Sequence, residues 1–356
     1  MLFGRVEFSP QRTCMGCKGS DVRIISPRPI QIVFQSLFLI AHVRRSITMR
    51  YRFAAAITLM LLSGCTSLDV LNAISKSPQA VPVTLRYGPS ERQMLDLYLP
   101  RTALQAHGSN GSVEPLSGSP SSHPQPQAPI IVFFYGGAWA SGSRHDYGFL
   151  ARTFNDLGYL VAIPDYRLTP EVTYPGFLED SAQAFRALID HAERHGGDSQ
   201  RIVLAGHSAG AYNAIMLATD RRWLSRTERE RIRGVIGLSS PVNFLPIQMP
   251  EARIAFNWPY TPRDTQPVEH VTAETPPMLL LSPRHDPLVD PSINSAVMAQ
   301  RLESAGVYVK LELYDGPLGI VGHSNIVASL SSRLSFLAPT IARSREFLER
   351  VAGSVR

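Results

Sequence analysis

The chain has 356 residues, 44% of them hydrophobic and 18% charged, a balance that supports one large apolar core and excludes disordered or fibrous architectures. Its formal net charge of +6 is concentrated at the N-terminus: residues 1–64 hold nine Lys/Arg against two Asp/Glu, whereas residues 65–356 hold 26 basic against 27 acidic side chains. A body this close to neutrality offers no electrostatic footprint for a nucleic acid or another polyanion.

In chain order, the first readable element is a leader. Met49-Arg50-Tyr51-Arg52 is a short basic segment, Phe53 to Leu62 is apolar, and Leu62-Ser63-Gly64-Cys65 places small residues before a cysteine. The apolar run is too short to span a bilayer and fits a signal-peptide core. Its last four residues resemble the lipobox of bacterial lipoproteins, a reading preferred over an ordinary cleaved signal or a buried helix ending in cysteine. The resemblance implies lipidation of Cys65, membrane attachment through that residue and an envelope location, periplasm-facing or on the outer membrane. Translation is then expected to start at Met49. Residues 1–48 become an upstream extension, 49–64 the signal and 65–80 a tether. The pair Cys14 and Cys17 lies in the extension and, lacking a second half-site, carries no metal or redox assignment.

From Val81 to about residue 352, short β-branched or apolar runs alternate with longer amphipathic ones, the pattern of a mostly parallel sheet with helices on both faces. Strands are expected at 81–87, 92–99, 130–135, 159–164, 202–206, 234–239, 277–282 and 307–314, and helices at 145–157, 176–194, 209–219, 292–305 and 324–350. Residues 101–129, crowded with Ser, Gly, Pro, Gln and Asn, cannot bury enough surface to offset their ordering entropy and read as a loop insertion within a single domain. The Asn110-Gly111-Ser112 acceptor pattern there carries no weight in a bacterial lipoprotein.

Gly206-His207-Ser208-Ala209-Gly210 matches G-x-S-x-G, and it sits between the strand-like Arg201 to Ala205 and the helix-like Ala211 to Thr219. That setting defines a nucleophile elbow, whose strand-to-helix turn is too tight for side chains on either side of the serine. Eight strands around such an elbow give the α/β-hydrolase fold, an eight-stranded, mostly parallel sheet. Upstream, the apolar run Ile130 to Phe134 passes into Tyr135-Gly136-Gly137-Ala138-Trp139. Small residues there let backbone amides approach a substrate oxygen, so Gly137, Ala138 and Ala209 are the candidate oxyanion donors.

These segments resemble known families over about Val83 to Val327. Gly136 to Trp139 is similar to the H-G-G-x-W loop of bacterial carboxylesterases and of feruloyl-esterase-like and kynurenine-formamidase-like hydrolases. Asp165-Tyr166-Arg167-Leu168-Thr169-Pro170-Glu171 and the elbow resemble the hormone-sensitive-lipase branch. The resemblance implies a serine carboxylesterase. Tyr135 departs from it, standing where many members have His, a change expected to bear on the shape of the acyl pocket and not on the backbone donors.

A serine hydroxyl needs a base, and an imidazole base needs an acid to fix its tautomer. In this fold the acid and the histidine follow the serine, after separate late strands. Asp286 and Asp290 compete for the acid. Asp286 is nearer the strand end and is preferred; the other would cap a helix beginning near Ser292. His323, behind the last strand at a Gly-His junction, is the expected base, with His285 its one rival. Asp180 and Asp198 read as caps or loop anchors, and Arg167 as the partner of a carboxylate. Trp139, Tyr212, Phe256 and Trp258 read equally as pocket lining or as core. Metal and phosphate-binding motifs are absent from residues 65–356, so no cofactor is expected. The expected partner is a small ester, with no oligomeric state implied. An amide substrate for the same triad, or a non-catalytic envelope lipoprotein, are the alternatives.

Overall fold

The computed structural model describes residues 81–100, 127–316, 319 and 321–353. The leader, Cys65, the tether and most of the 101–129 insertion lie outside the described residues. The insertion ends slightly earlier than expected, because Ala128 and Pro129 already belong to a strand.

Among the described residues, eight strands form one sheet in the order β1-β2-β4-β3-β5-β6-β7-β8. Their ranges are β1 Val83–Arg86, β2 Met94–Tyr98, β3 Ala128–Phe134, β4 Leu160–Pro164, β5 Gly197–His207, β6 Ile232–Leu238, β7 Met278–Pro283 and β8 Val309–Tyr314. β1 and β2 pair antiparallel with each other, and β2 with β4; every later pairing is parallel. All eight expected strands are present. Their legibility has a simple cause: β3, β4 and β7 are covered on both faces, so they read as unbroken apolar runs such as Ile130 to Phe134 and Met278 to Leu281. The edge strand β8 is only half-buried, and its Lys310 and Glu312 pair with each other and with Glu346 and Arg343, which puts charge on an otherwise open edge.

The helices that matter for the site are α1 Gly148–Asp156, α2 Gly176–Ala192 and α3 Ala209–Thr219. Two short ones follow, α4 Arg226–Arg229 and α5 Pro250–Ala255, then α6 Ser295–Ser304 and α7 Thr340–Ala352. Every residue of α3 is buried, and its Ala and Gly residues let it lie close on the sheet. The long helix expected at 324–350 is not formed. A 3-10 turn at Val327–Leu330 is followed by irregular backbone, and α7 starts only after Pro339. Proline cannot continue a helix from its N-terminal side, and the serines of 331–335 close local bonds instead, as Ser335 does with the Ser332 carbonyl.

The strand order places the C-terminal ends of β3, β5, β7 and β8 along one rim of the sheet. In open α/β sheets that rim is where ligands bind.

Candidate active site

Ser208 stands between β5 and α3 with φ 53° and ψ −123°, a conformation that L-residues rarely adopt. The flanking glycines show why it persists. A Cβ on Gly206 would lie 2.4 Å from the Gly210 carbonyl oxygen, and one on Gly210 only 2.1 Å from that of Phe134. The turn is therefore closed by contacts that no other residue type permits. Ser208 ends up at the N-terminus of a buried helix, 8% exposed.

His323 Nε2 lies 2.8 Å from Ser208 Oγ, and its Nδ1 lies 2.8 Å from Asp286 Oδ2 and 3.1 Å from Oδ1. With a carboxylate at Nδ1, that nitrogen carries the proton and donates it to Asp286, leaving Nε2 to accept from the serine hydroxyl. Asp286 Oδ1 also accepts the amides of Leu288 and Val289, each at 3.0 Å. Burial acts to raise the Asp286 pKa, but the His323 hydrogen bond and charge with the two amides outweigh it and hold the carboxyl below its usual range. In this turn the two aspartates take different partners. Asp290 is spent on the amide and hydroxyl of Ser292, at 2.8 and 2.7 Å, and does not reach the histidine. Nor does it cap a helix at Ser292, since α6 begins at Ser295 with Asn294 as its N-cap. The rival His285 is exposed.

The loop behind β3 carries three successive residues at positive φ: Gly137 at 131°, Ala138 at 51° and Trp139 at 58°. The amides of Gly137 and Ala138 make no backbone hydrogen bond to another described residue, and Ala209, as the first residue of α3, has one of the four N–H groups a helix leaves unpaired. Gly137 and Ala138 line one cavity together with Ser208, and Ala209 follows the serine in the chain. Strain of this kind costs of order 1–3 kcal/mol per residue and persists only where the surroundings over-determine it. The restraints are visible. Thr169 N donates to the Trp139 carbonyl at 2.8 Å, Trp139 Nε1 to Asn213 Oδ1 at 3.1 Å, and Asn213 Nδ2 to Ser181 Oγ at 3.2 Å.

A second set of restraints lies beneath the loop. Tyr135 is fully buried, with its ring stacked between those of Tyr147 and Tyr166, and its hydroxyl donates to Asp165 at 2.8 Å while accepting from Arg92 at 2.7 Å. The same Arg92 nitrogen donates to the Gly142 carbonyl at 2.7 Å, and Asp165 also takes the Arg144 amide at 2.8 Å and the Arg144 guanidinium. Tyr135 thus clamps the start of the loop to its end and lines neither cavity at Ser208. The expectation that it would shape the acyl pocket is corrected: its hydroxyl is drawn inward by Asp165, away from the substrate side.

His207, inside the elbow, has a role the sequence did not reveal. Its Nε2 donates to the His323 carbonyl at 2.8 Å, bracing the segment that carries the base, while its Nδ1 is buried without a hydrogen-bond partner. Desolvation, with the neighbouring His323, pushes its pKa down to about 4. Of the other conspicuous residues, Arg167 makes a forked pair with buried Asp180, which also takes the Arg167 amide and so anchors the loop after β4. Asp198 closes a local turn with Gln200 and Arg201. Tyr212 and Phe256 are core, Trp258 packs against it, and Trp139 lines a cavity beside Ser208.

The sheet order, the elbow and a Ser-His-Asp constellation drawn from the ends of three strands define an α/β-hydrolase. Its relatives narrow this further. The BD-FAE family model matches residues 119–302, more than half of the chain, and the chain belongs to that family. It is 26% identical over 254 residues to the probable isoprenylcysteine alpha-carbonyl methylesterase ICMEL1 of Arabidopsis thaliana, covering 65% of this chain and 49% of that protein. With carboxylesterase NlhH of Mycobacterium tuberculosis it shares 28% identity over 219 residues, 55% of this chain and 67% of the relative. The chain therefore spans about half the length of the plant relative. Among solved structures, native esterase Est2 of Thermogutta terrifontis superposes with a TM-score of 0.59 at 21% identity, covering 78% of this chain and 95% of that one. The Pyrobaculum calidifontis esterase gives 0.60 at 21% identity, covering 80% and 90%.

Proposed function

We propose that the protein is a serine carboxylesterase that cleaves carboxylic esters through an acyl-enzyme on Ser208. The observation that carries this reading is the unbroken relay from Ser208 Oγ through His323 to Asp286, at 2.8 Å for each step, beside a loop with unspent amides. His323 Nε2 takes the serine proton as Oγ attacks the ester carbonyl. The oxyanion that forms is met by the amides of Gly137, Ala138 and Ala209. His323 then protonates the departing alcohol, and a water, deprotonated by the same nitrogen, releases the acid. Asp286 holds the imidazole in the tautomer that leaves Nε2 free, and stabilises the imidazolium. The names of the relatives, methylesterase and carboxylesterase, favour ester over amide substrates.

The test is turnover of p-nitrophenyl butyrate by the wild type and by Ser208→Ala. Loss of a triad nucleophile costs at least about 10³-fold in kcat; comparable turnover by both proteins rules the nucleophile out.

We further propose that the mature protein begins at Cys65, is lipidated there and works in the bacterial cell envelope. The support is the basic, apolar and small-residue succession of Met49 to Cys65. Mass spectrometry of the native N-terminus, with Cys65→Ser as the control, checks it: a peptide from residues 1–64 in the mature protein refutes it.

A further inference from the structure

Two cavities meet at Ser208. The larger, about 820 Å³, is lined by His323, His207, Tyr147, Val327, Asp146 and Glu251, among others. The smaller, about 320 Å³, is lined chiefly by apolar side chains, including Trp139, Phe244, Leu245, Ile247, Ala252 and Ile293. Ala138, Met249, Pro287 and Leu288 border both and form the divide. The geometry is asymmetric in one chemically decisive respect: His323 lines only the larger cavity.

That asymmetry orients an ester, on the reading of Ser208 as nucleophile. After Oγ has bonded to the carbonyl carbon, the bond from that carbon to the alcohol oxygen breaks, and the proton held on His323 Nε2 passes to the leaving alkoxide. The alkoxide must therefore lie on the His323 side. The acyl chain, on the opposite side of the same carbon, faces the smaller cavity. Water then enters from the alcohol side, its oxygen bonds to the acyl carbon as its proton passes to Nε2, the bond from that carbon to Oγ breaks as Nε2 returns the proton to Oγ, and the acid leaves.

We propose that the smaller cavity is the acyl subsite and the larger the alcohol subsite, so that the preferred substrates are esters of apolar monocarboxylic acids with bulky alcohols that are uncharged or cationic. The acyl part follows from the lining of the smaller cavity, where each buried methylene raises kcat/KM about fourfold until the space is filled. The alcohol part follows from charge: Asp146 and Glu251 line the larger cavity, and among the described residues no Lys or Arg does. Two carboxylates repel an anionic alcohol and tolerate a cation.

The test uses two substrate series and two variants at exposed rim positions, Ile293→Trp at the smaller cavity and Glu251→Trp at the larger. One series varies the acyl chain, p-nitrophenyl acetate to hexanoate. The other varies the alcohol of an acetate, phenyl to naphthyl. Ile293→Trp is expected to lower the hexanoate-to-acetate ratio of kcat/KM at least about fivefold, losing more than one methylene of access, while leaving the naphthyl-to-phenyl ratio in place. Glu251→Trp is expected to do the converse. A crossed result, or changes that follow neither series, overturns the assignment. For charge, Glu251→Gln should raise turnover of 4-acetoxybenzoate relative to phenyl acetate about twofold to fivefold at low ionic strength, an effect that salt abolishes. An unchanged ratio removes that part of the proposal. Labelling by a fluorophosphonate, mapped by mass spectrometry in the wild type and both variants, separates the two levels. Label away from Ser208 defeats the nucleophile itself, whereas label on Ser208 with crossed selectivity defeats only the subsites.

Discussion

The buried histidine of the elbow gives a pH dependence whose sign and size can be worked out. His207 is 6% exposed, and its pKa is pushed from 6.5 down to about 4. Between those values the unfolded chain binds a proton that the folded one refuses, so stability is full above about pH 6.5 and falls as pH drops toward 4. Referred to pH 7.5, the contribution lost by pH 4.5 is about 2–3 kcal/mol, at 1.36 kcal/mol per pKa unit. His207→Gln keeps a donor within reach of the His323 carbonyl and removes the titration. His207→Phe removes both and leaves that carbonyl unpaired, at about 1–3 kcal/mol at any pH. The assay is urea unfolding of wild type and both variants at pH 7.5, 6, 5 and 4.5. Subtracting the variant curve cancels every other group, including Asp286, whose lowered pKa makes stability fall only at still lower pH. The expected result is a wild-type loss steeper than that of the Gln variant by the stated amount, with the Phe variant shifted down but parallel to Gln. Wild-type and Gln curves of equal slope refute the burial argument.

Two further substitutions probe the site. Asp286→Asn should lower kcat by about 10²- to 10⁴-fold, because an amide at Nδ1 no longer fixes the tautomer, whereas Asp290→Asn, whose side chain bonds only Ser292 at the border of the smaller cavity, should stay within about threefold; a larger loss in the second reverses the assignment of the acid. Asp165→Asn loosens the Tyr135–Arg144 clamp under the oxyanion loop. Kinetics should show kcat down about tenfold or more with KM little changed, since the donors act in the transition state, and thermal unfolding should show a loss of about 3 kcal/mol for a broken buried pair. A rise in KM at constant kcat counts against a role in positioning that loop.

What the sequence makes legible, and what it hides, follows from the range of the interactions. The strands are legible because covering both faces of a parallel sheet demands contiguous apolar residues, and the elbow is legible because its steric requirement falls within five residues, Gly206 to Gly210. The choice between Asp286 and Asp290 is not, since both are in reach of the strand end and only the course of the turn, which wraps the Leu288 and Val289 amides around one of them, decides. The 324–350 helix failed for a related reason: an amphipathic pattern continues across Ser331 to Pro339, but Pro339 blocks the backbone that the pattern requires. Most hidden are Arg92, Arg144 and Asp165, whose contacts with one another and with Tyr135 span 21 to 73 residues and leave no local signature. They fasten Tyr135 and Gly142 on either side of the strained residues, while Trp139 itself is held by Thr169 and Asn213. Small side chains mark Gly137 and Ala138 as candidate donors in the sequence, yet nothing local keeps such a turn from satisfying its own amides. The long-range clamp prevents that, and amides kept from bonding within the chain are what an oxyanion requires. The part of the site that sequence conveys least is thus the part through which the fold does work on the substrate.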